Sequence, residues 1–293
     1  MLVTDTTGLA QRNRRSLVVC SALADARYDA LLRSGADVVC MDLEDGTSLA
    51  RKAEARDHCL HRFAEPPVDD VIRALRINSP HTLHGLRDLV AVAELSQPPE
   101  ALLIPKVGNA EDLRLVADVL DDAHIDLELI PLIEDQAGVR NARAIASASE
   151  RVSALFLGSV DLSGELRSNM GWDALLKARQ CVVEAGSEFG LDCIDGPWLD
   201  ADDLEGLQIE LGRLAAMGFT GKASYDIQQI AAIHSAFTPS TDEVALARRI
   251  IVAVTASDTG AARVDGKSVN KANAKAARRL LALAQRRGVV ESN

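Results

Sequence analysis

The chain has 293 residues, 47% of them hydrophobic and only 3% aromatic, with a formal net charge of −11 at pH 7. Its length suffices for one large α/β barrel or two ordinary domains, and Val, Ile, Leu and Ala are left to fill the core, as buried parallel sheets prefer. The acidic balance argues against a nucleic-acid partner or an anionic membrane surface, no apolar run reaches the roughly 18–20 residues of a membrane span, and five cysteines without a CxxC spacing form no disulfide framework.

A polar arm, residues 1–14, lacks the apolar core of a signal peptide, so a soluble, cytoplasmic protein is expected. SLVVC (16–20) is the first strand, and ADARYDALLRSG (24–35) is a helix closed by Gly35. DVVCMDLEDG is the second strand, with Asp42, Glu44 and Asp45 at its exit; Cys20 and Cys40 lie in these apolar runs as core thiols. The helix 48–63 follows, then VIRALRIN, a third strand leaving at Arg76 and Asn78. After a helix at 82–95, ALLIPKV is the fourth strand, leaving at Lys106; Asn109 caps the next helix. LELIPLIEDQAG brings the fifth strand to Glu134, and VSALFLGSVDL brings the sixth to Asp161, with helical spacing between them. A long helix (172–190) ends in glycine, LDCIDGP is the seventh strand, a helix follows, and TGKASYD is the eighth, leaving at Tyr225 and Asp226. The tail gives a helix (242–257), a Gly-rich hairpin-like segment and a basic amphipathic helix with one apolar stripe.

Eight strands alternating with helices fit a (β/α)₈ TIM barrel over residues 15–256, with a lid and helix over 257–293; a doubly wound open sheet is the alternative. In either fold the acids leave at the carboxyl edge of a parallel sheet, where such folds keep their chemistry. Glu134 and Asp161 would repel unless a cation lay between them, and oxygen donors suit Mg²⁺ or Mn²⁺ better than zinc. The competing reading is two acids in ordinary capping turns. Around them, Glu44, Asp45, Arg76 and Lys106 would ring one pocket, and the planar fork of Arg76 suits a substrate carboxylate. Arg76 could instead form a structural ion pair with Glu44, and Lys106 a similar one. His58 and His61, three apart on a helix without matching acids, read as surface residues rather than metal ligands. GxSxG, GxGxxG after a strand and GxxxxGK[ST] are all missing, which argues against a serine hydrolase, a dinucleotide enzyme and a P-loop ATPase.

From about Arg15 onward the chain resembles the citrate lyase β-subunit-like proteins of the HpcH/HpaI aldolase group. The resemblance rests on SGADVVCMDLEDG, LRIN, LLIPKV, LIPLIEDQAGVRNARAIA, the GSVDL run, IDGPWLDADDLEGL, MGFTGK and AFTPSTDEVALARRI. It implies a Mg²⁺-binding TIM barrel, trimeric or hexameric, that cleaves or forms carbon–carbon bonds of thioesters such as citryl-CoA or malyl-CoA. Carried over by motif, Glu134 and Asp161 hold the metal, Glu134 also lines the substrate site, and Arg76 grips the substrate carboxylate. Three stretches depart from the family pattern. Cys20-Ser21-Ala22-Leu23 stands where a Pro-Gly loop usually seats CoA, and GKASYDI, with Tyr225 and Asp226, stands near where His-Pro is expected. GKSVN puts Asn270 where the lid usually carries an acid/base aspartate; Asp226 and Asp265 are the nearest acids to replace it.

Two functions are consistent with these residues. One is a Mg²⁺-dependent lyase or aldolase acting on a small 2-oxo or 2-hydroxy acid or its CoA thioester, with a thioester hydrolase on the same scaffold as a variant. The other is a non-catalytic binding or assembly subunit, which Asn270 favours and the intact Glu134, Asp161 and Arg76 oppose.

Overall fold

A computed structural model describes residues 12–68 and 70–290. Most of the arm, residues 1–11, lies outside them. The chain runs β1 (Ser16–Ser21), α1 (Asp25–Leu32), β2 (Val38–Asp42), α2 (Lys52–Phe63), β3 (Ile72–Arg76), α3 (Leu83–Ala93), β4 (Ala101–Ile104) and α4 (Ala110–Asp122). It continues through β5 (Glu128–Ile133), α5 (Gln136–Ala146), β6 (Ala154–Leu157), α6 (Ser159–Leu166), α7 (Trp172–Phe189), β7 (Asp192–Asp195), α8 (Leu204–Met217), β8 (Gly221–Ser224) and α9 (Ile230–Ala236). All eight strands are parallel and pair in sequence order, and β8 returns to pair with β1, so the sheet closes as a TIM-type barrel rather than lying open.

The strands are short and buried on both faces, which is why they read as continuous apolar runs. Inside the barrel, Val38 and Cys40, Ile72 and Ala74, Ile130 and Leu132, and Ala154 and Phe156 belong to one core cluster. A strand repeats every two residues, so the next inward positions toward the carboxyl end are Asp42, Arg76, Glu134 and Gly158. The alternation that fills the core therefore also sets the polar groups at its mouth. At the opposite end Arg14 is buried, its Nε donating to Glu128 Oε2 at 3.0 Å and its Nη1 to Asp192 Oδ2 at 3.2 Å. The last residue of the expected arm is thus a fixed part of the barrel floor.

Helix ends follow local chemistry. Asn109 and Asp112 form a reciprocal capping box on α4, and Gly190, left-handed at φ 72°, closes α7. Gly35 does not cap α1 as expected. That helix stops at Leu32, and Gly35 supplies the left-handed turn into β2 three residues later. Two short helices, α6 and α9, were not expected from the sequence; each is under three turns and too short to show a periodic face.

A second compact unit runs from Ser235, together with Arg12 and Asn13, and contains α10 (Thr241–Thr255), β9 (Ala261–Val264), β10 (Lys267–Asn270) and α11 (Lys271–Arg286). β9 and β10 form the expected hairpin, turning at Asp265 and Gly266. The break falls after His234 rather than after residue 256, because α10 packs on α11 and the hairpin. Val254, Val269 and Ala274 form a small core there. The apolar stripe of α11 thus has its partner within the same unit. No helix among the described residues is long and apolar enough to cross a membrane.

Candidate active site

Asp42 organises the mouth of the barrel. Its Oδ1 accepts from Arg76 Nε at 2.7 Å and its Oδ2 from Arg76 Nη2 at 2.6 Å, a two-pronged pair in which the carboxylate is 3% and the guanidinium 12% exposed. The same oxygens accept from the backbone N–H groups of Glu44 at 2.8 Å and Gly46 at 2.7 Å. A Cβ on residue 46 would lie 2.5 Å from Asp42 Oδ2, so the turn after β2 needs its glycine. Arg76 is therefore held by Asp42, where an ion pair with Glu44 was the expected alternative to a carboxylate clamp. Glu44 is a secondary neighbour: Arg76 Nη1 lies 3.1 Å from Glu44 Oε2, but that buried oxygen has no aligned hydrogen bond.

The other oxygen of Glu44 meets Lys106 Nζ. Burial pushes the Glu44 carboxyl above its ordinary range, against the pull of Arg76 and Lys106. Lys106 itself sits in the left-handed region at φ 55°, unusual for a lysine. Its backbone N–H donates to Glu134 Oε1 at 2.7 Å and fixes that carboxylate.

Glu134 is buried, and its pKa is pushed up to about 8, chiefly by burial and then by the charges of Glu44 and Asp161. Its side chain fits because residue 158 is glycine. A Cβ there would collide with the Glu134 side chain, coming 2.6 Å from Oε2. Gly158→Ala is expected to cost about 1–3 kcal/mol in stability through overpacking, measured by urea denaturation, and to displace the carboxylate. Asp161 lies in the first turn of α6 rather than in a loop, and it is exposed, as is Asp45.

The sequence candidates therefore divide. Glu44, Arg76, Lys106 and Glu134 are linked by direct contacts, and the charge of Asp161 reaches Glu134. Asp226 caps the turn after β8, its Oδ1 accepting from Gln228 N–H at 2.9 Å. Asp265 is in the exposed hairpin turn, paired to Arg249 through both oxygens at 2.8 Å. Asn270 is the N-cap of α11, in a reciprocal box with Asn273. Both candidate acids and Asn270 thus have local structural roles. His58 meets Asp25 at 2.8 Å and His61 meets the Asp57 carbonyl, so the two face different partners. Asp42 and Gly158 were not singled out as site residues, although counting inward by twos from Val38 and from Ala154 reaches both. Asp195, expected at the strand exit, points outward. It is fully buried against Arg179 at 3.0 Å and Lys222 at 2.9 Å.

Among the described residues no three His, Cys, Asp or Glu side chains converge as a preformed metal cage. Mg²⁺ does not require one, because it commonly takes one or two carboxylates and keeps several waters. The donor set fits that pattern. Glu134 and Asp161 supply hard oxygens, and their mutual repulsion is what a divalent cation relieves.

The sequence pattern of the HpcH/HpaI aldolase/citrate lyase family matches residues 16–226, the whole barrel from β1 to the exit of β8. The chain belongs to this family. A (3S)-malyl-CoA thioesterase of Cereibacter sphaeroides is 34% identical over 256 residues, covering 85% of this chain and 87% of the relative. The citrate lyase β subunit of Escherichia coli is 28% identical over 292 residues, covering 96% of each. The CitE protein of Mycobacterium tuberculosis, solved in complex with magnesium, acetoacetate and coenzyme A, superposes with a TM-score of 0.77 at 28% identity, over 94% of this chain and 99% of that one. These relatives bear out the family resemblance and the barrel fold, and they include both a lyase subunit and a thioesterase.

Proposed function

We propose that this family member is a Mg²⁺-dependent carbon–carbon lyase acting on a small 2-oxo or 2-hydroxy acid, free or as its CoA thioester. The carrying observation is Glu134, a buried carboxylate crowded by Asp161 and Glu44 at the barrel mouth. Glu134 and Asp161 would hold the cation, with Mn²⁺ as a substitute. When bound, it supplies Lewis-acid polarisation of a 2-oxo group and stabilises an enolate. The rest falls to the chain. The Lys106 N–H orients Glu134, and Asp42 locks Arg76 by its Nε–Nη2 edge, so that a substrate carboxylate would take the Nη1 edge in place of Glu44 Oε2, which lies 3.1 Å from it. Lys106 Nζ, half-exposed, is a second cation for the substrate. Glu44, with its raised pKa and unbonded Oε2, is the group to hold or deliver a proton, and Asp45 adds negative charge beside it.

A thioester hydrolase is the second reading, favoured by Asn270. A neutral amide engaged in capping a helix cannot be the general base of a Claisen-type step. Malyl-CoA with Mg²⁺ separates the two. Release of glyoxylate and acetyl-CoA supports the lyase, and release of malate and free CoA supports the hydrolase. No Mg²⁺-dependent reaction with malyl-CoA, citryl-CoA or free 2-oxo and 2-hydroxy acids would leave the non-catalytic subunit.

The pH dependence has a definite sign. In the metal-free protein Glu134 stays protonated up to about pH 8 while the unfolded chain ionises it near 4.5. The folded state thus binds the extra proton, and this group's contribution to stability falls as pH rises from about 4.5 to 8. Mg²⁺ must displace that proton. Calorimetry in buffers of different ionisation enthalpy is expected to show proton release, and affinity should rise up to roughly tenfold per pH unit below about pH 8. Affinity flat between pH 6 and 8 would contradict it.

A homotrimer or hexamer is carried by the family resemblance, since α11 already has a partner in α10. Light scattering at micromolar concentration tests it, and a monodisperse monomer counts against it.

A further inference from the structure

Ala223 of β8 belongs to the same core cluster inside the barrel as Val38, Ile72 and Ile130. Those three lead, counting by twos, to Asp42, Arg76 and Glu134 at the mouth. Two positions after Ala223 stands Tyr225, the first residue past the end of β8. The residue between them takes the outward side: the buried Ser224 hydroxyl donates to Gln229 Oε1 at 2.8 Å. The alternation therefore turns Tyr225 inward, toward the mouth from the β8 side.

The electrostatics agree with that direction. Partial burial raises the phenol above its ordinary range, and among charged groups Arg76 acts on it most, followed by Asp42, Asp161 and Asp45. All four belong to the acid site or stand at its rim. The phenol thus keeps its proton at neutral pH and can donate it to a hydrogen bond.

The turn that carries Tyr225 is fixed. Arg27 Nη2 donates to the Tyr225 carbonyl at 2.6 Å, the Asp226 N–H donates to Ser224 Oγ at 2.9 Å, and the Asp226 carboxylate caps the turn that follows. The side chain is left open. The residue is 51% exposed, and among the described residues its hydroxyl has no hydrogen-bond partner. A rigid backbone thus presents a free donor to the space beside Arg76. The Nη1 edge of Arg76 donates into that space as well, and one carboxylate has lone pairs enough for both.

We propose that Tyr225 completes the carboxylate site of Arg76, its hydroxyl donating to the substrate carboxylate that takes the Nη1 edge. The acid is then gripped from two sides of the barrel, by a cation from β3 and a neutral donor from β8. This rests on the reading of Arg76 as the carboxylate clamp beside the metal centre of Glu134 and Asp161.

Calorimetry with pyruvate at saturating Mg²⁺ tests it. Tyr225→Phe keeps the ring and removes the hydroxyl, and should weaken pyruvate about tenfold, the loss of one hydrogen bond to a charged group. Mg²⁺ affinity without pyruvate and the melting temperature should stay unchanged, since the hydroxyl holds nothing within the protein. Arg76→Lys provides the second arm. Two residues that hold one carboxylate are coupled, so the double variant Arg76→Lys/Tyr225→Phe should lose less than the product of the two single losses. Pyruvate bound equally by the parent and by Tyr225→Phe overturns the role of Tyr225 and leaves the acid site standing. Losses that simply multiply in the double variant place the hydroxyl on another group and overturn the shared site. A Tyr225→Phe variant with lowered melting temperature and weakened Mg²⁺ binding makes the residue structural and overturns the contact. A parent chain that binds no pyruvate in the presence of Mg²⁺ overturns the acid-site reading itself, and the role of Tyr225 falls with it.

Discussion

Glu134→Gln is expected to abolish tight Mg²⁺ binding and to lower any metal-dependent turnover on the order of 10²–10³-fold, while the fold persists. The size follows from the position. Glu134 is the inward residue at the end of β5, held by one backbone N–H and packed on a glycine, so an amide fits the space. What it lacks is the negative charge. Because that charge is disfavoured without a cation, the metal-free variant should be at least as stable as the parent above pH 8, where the parent carries an uncompensated buried carboxylate. Lost Mg²⁺ affinity with retained or raised melting temperature is the expected pair of results. Lost affinity with a collapsed fold would mean that Glu134 is structural. Asp161→Asn, at an exposed position, should weaken Mg²⁺ without affecting stability.

Asp42→Asn is expected to destabilise the protein by about 3–5 kcal/mol, the cost of leaving a buried guanidinium without its carboxylate. Both prongs of that pair are short and shielded, and Asp42 also organises the turn carrying Glu44. Loss of Asp42 should therefore reach the acid site as well as the fold. Arg76→Lys is the companion test, since an ammonium cannot span both oxygens of Asp42. It should lower the urea midpoint and weaken substrate together, because one edge of Arg76 is held by Asp42 and the other, 3.1 Å from Glu44 Oε2, is the edge a substrate carboxylate would take. A fall in stability with unchanged substrate affinity would reduce Arg76 to an ion pair.

The barrel was legible because its strands are apolar on both faces and separated by amphipathic helices, a pattern with few other solutions. Glu134 and Asp161 were legible as acids at strand ends. Asp42 was harder to see, because three acids crowd the exit of β2 and only the side-chain alternation distinguishes the inward one. Lys106 illustrates a different limit. Its importance lies partly in a left-handed backbone that aims an N–H at Glu134, and nothing about a lysine in a strand-end loop announces that. The outward network of Asp195, Arg179, Lys222 and Glu210 assembles residues far apart in the chain, so no local spacing reveals it. The tail is legible as hairpin and helix, whereas what its apolar stripe packs on is not, because that depends on a second helix on the other side of the hairpin in the chain. The partner is α10, whose buried residues Val244, Ala247 and Val254 are also spaced as one face.

The most direct test is an anomalous difference map from crystals soaked in Mn²⁺ and pyruvate. The expected result is one strong peak at the barrel mouth, about 2.0–2.3 Å from carboxylate oxygens of both Glu134 and Asp161, with pyruvate and water completing an octahedron. A peak coordinated elsewhere, or no peak at millimolar Mn²⁺, would contradict the assignment of these two acids as the metal ligands.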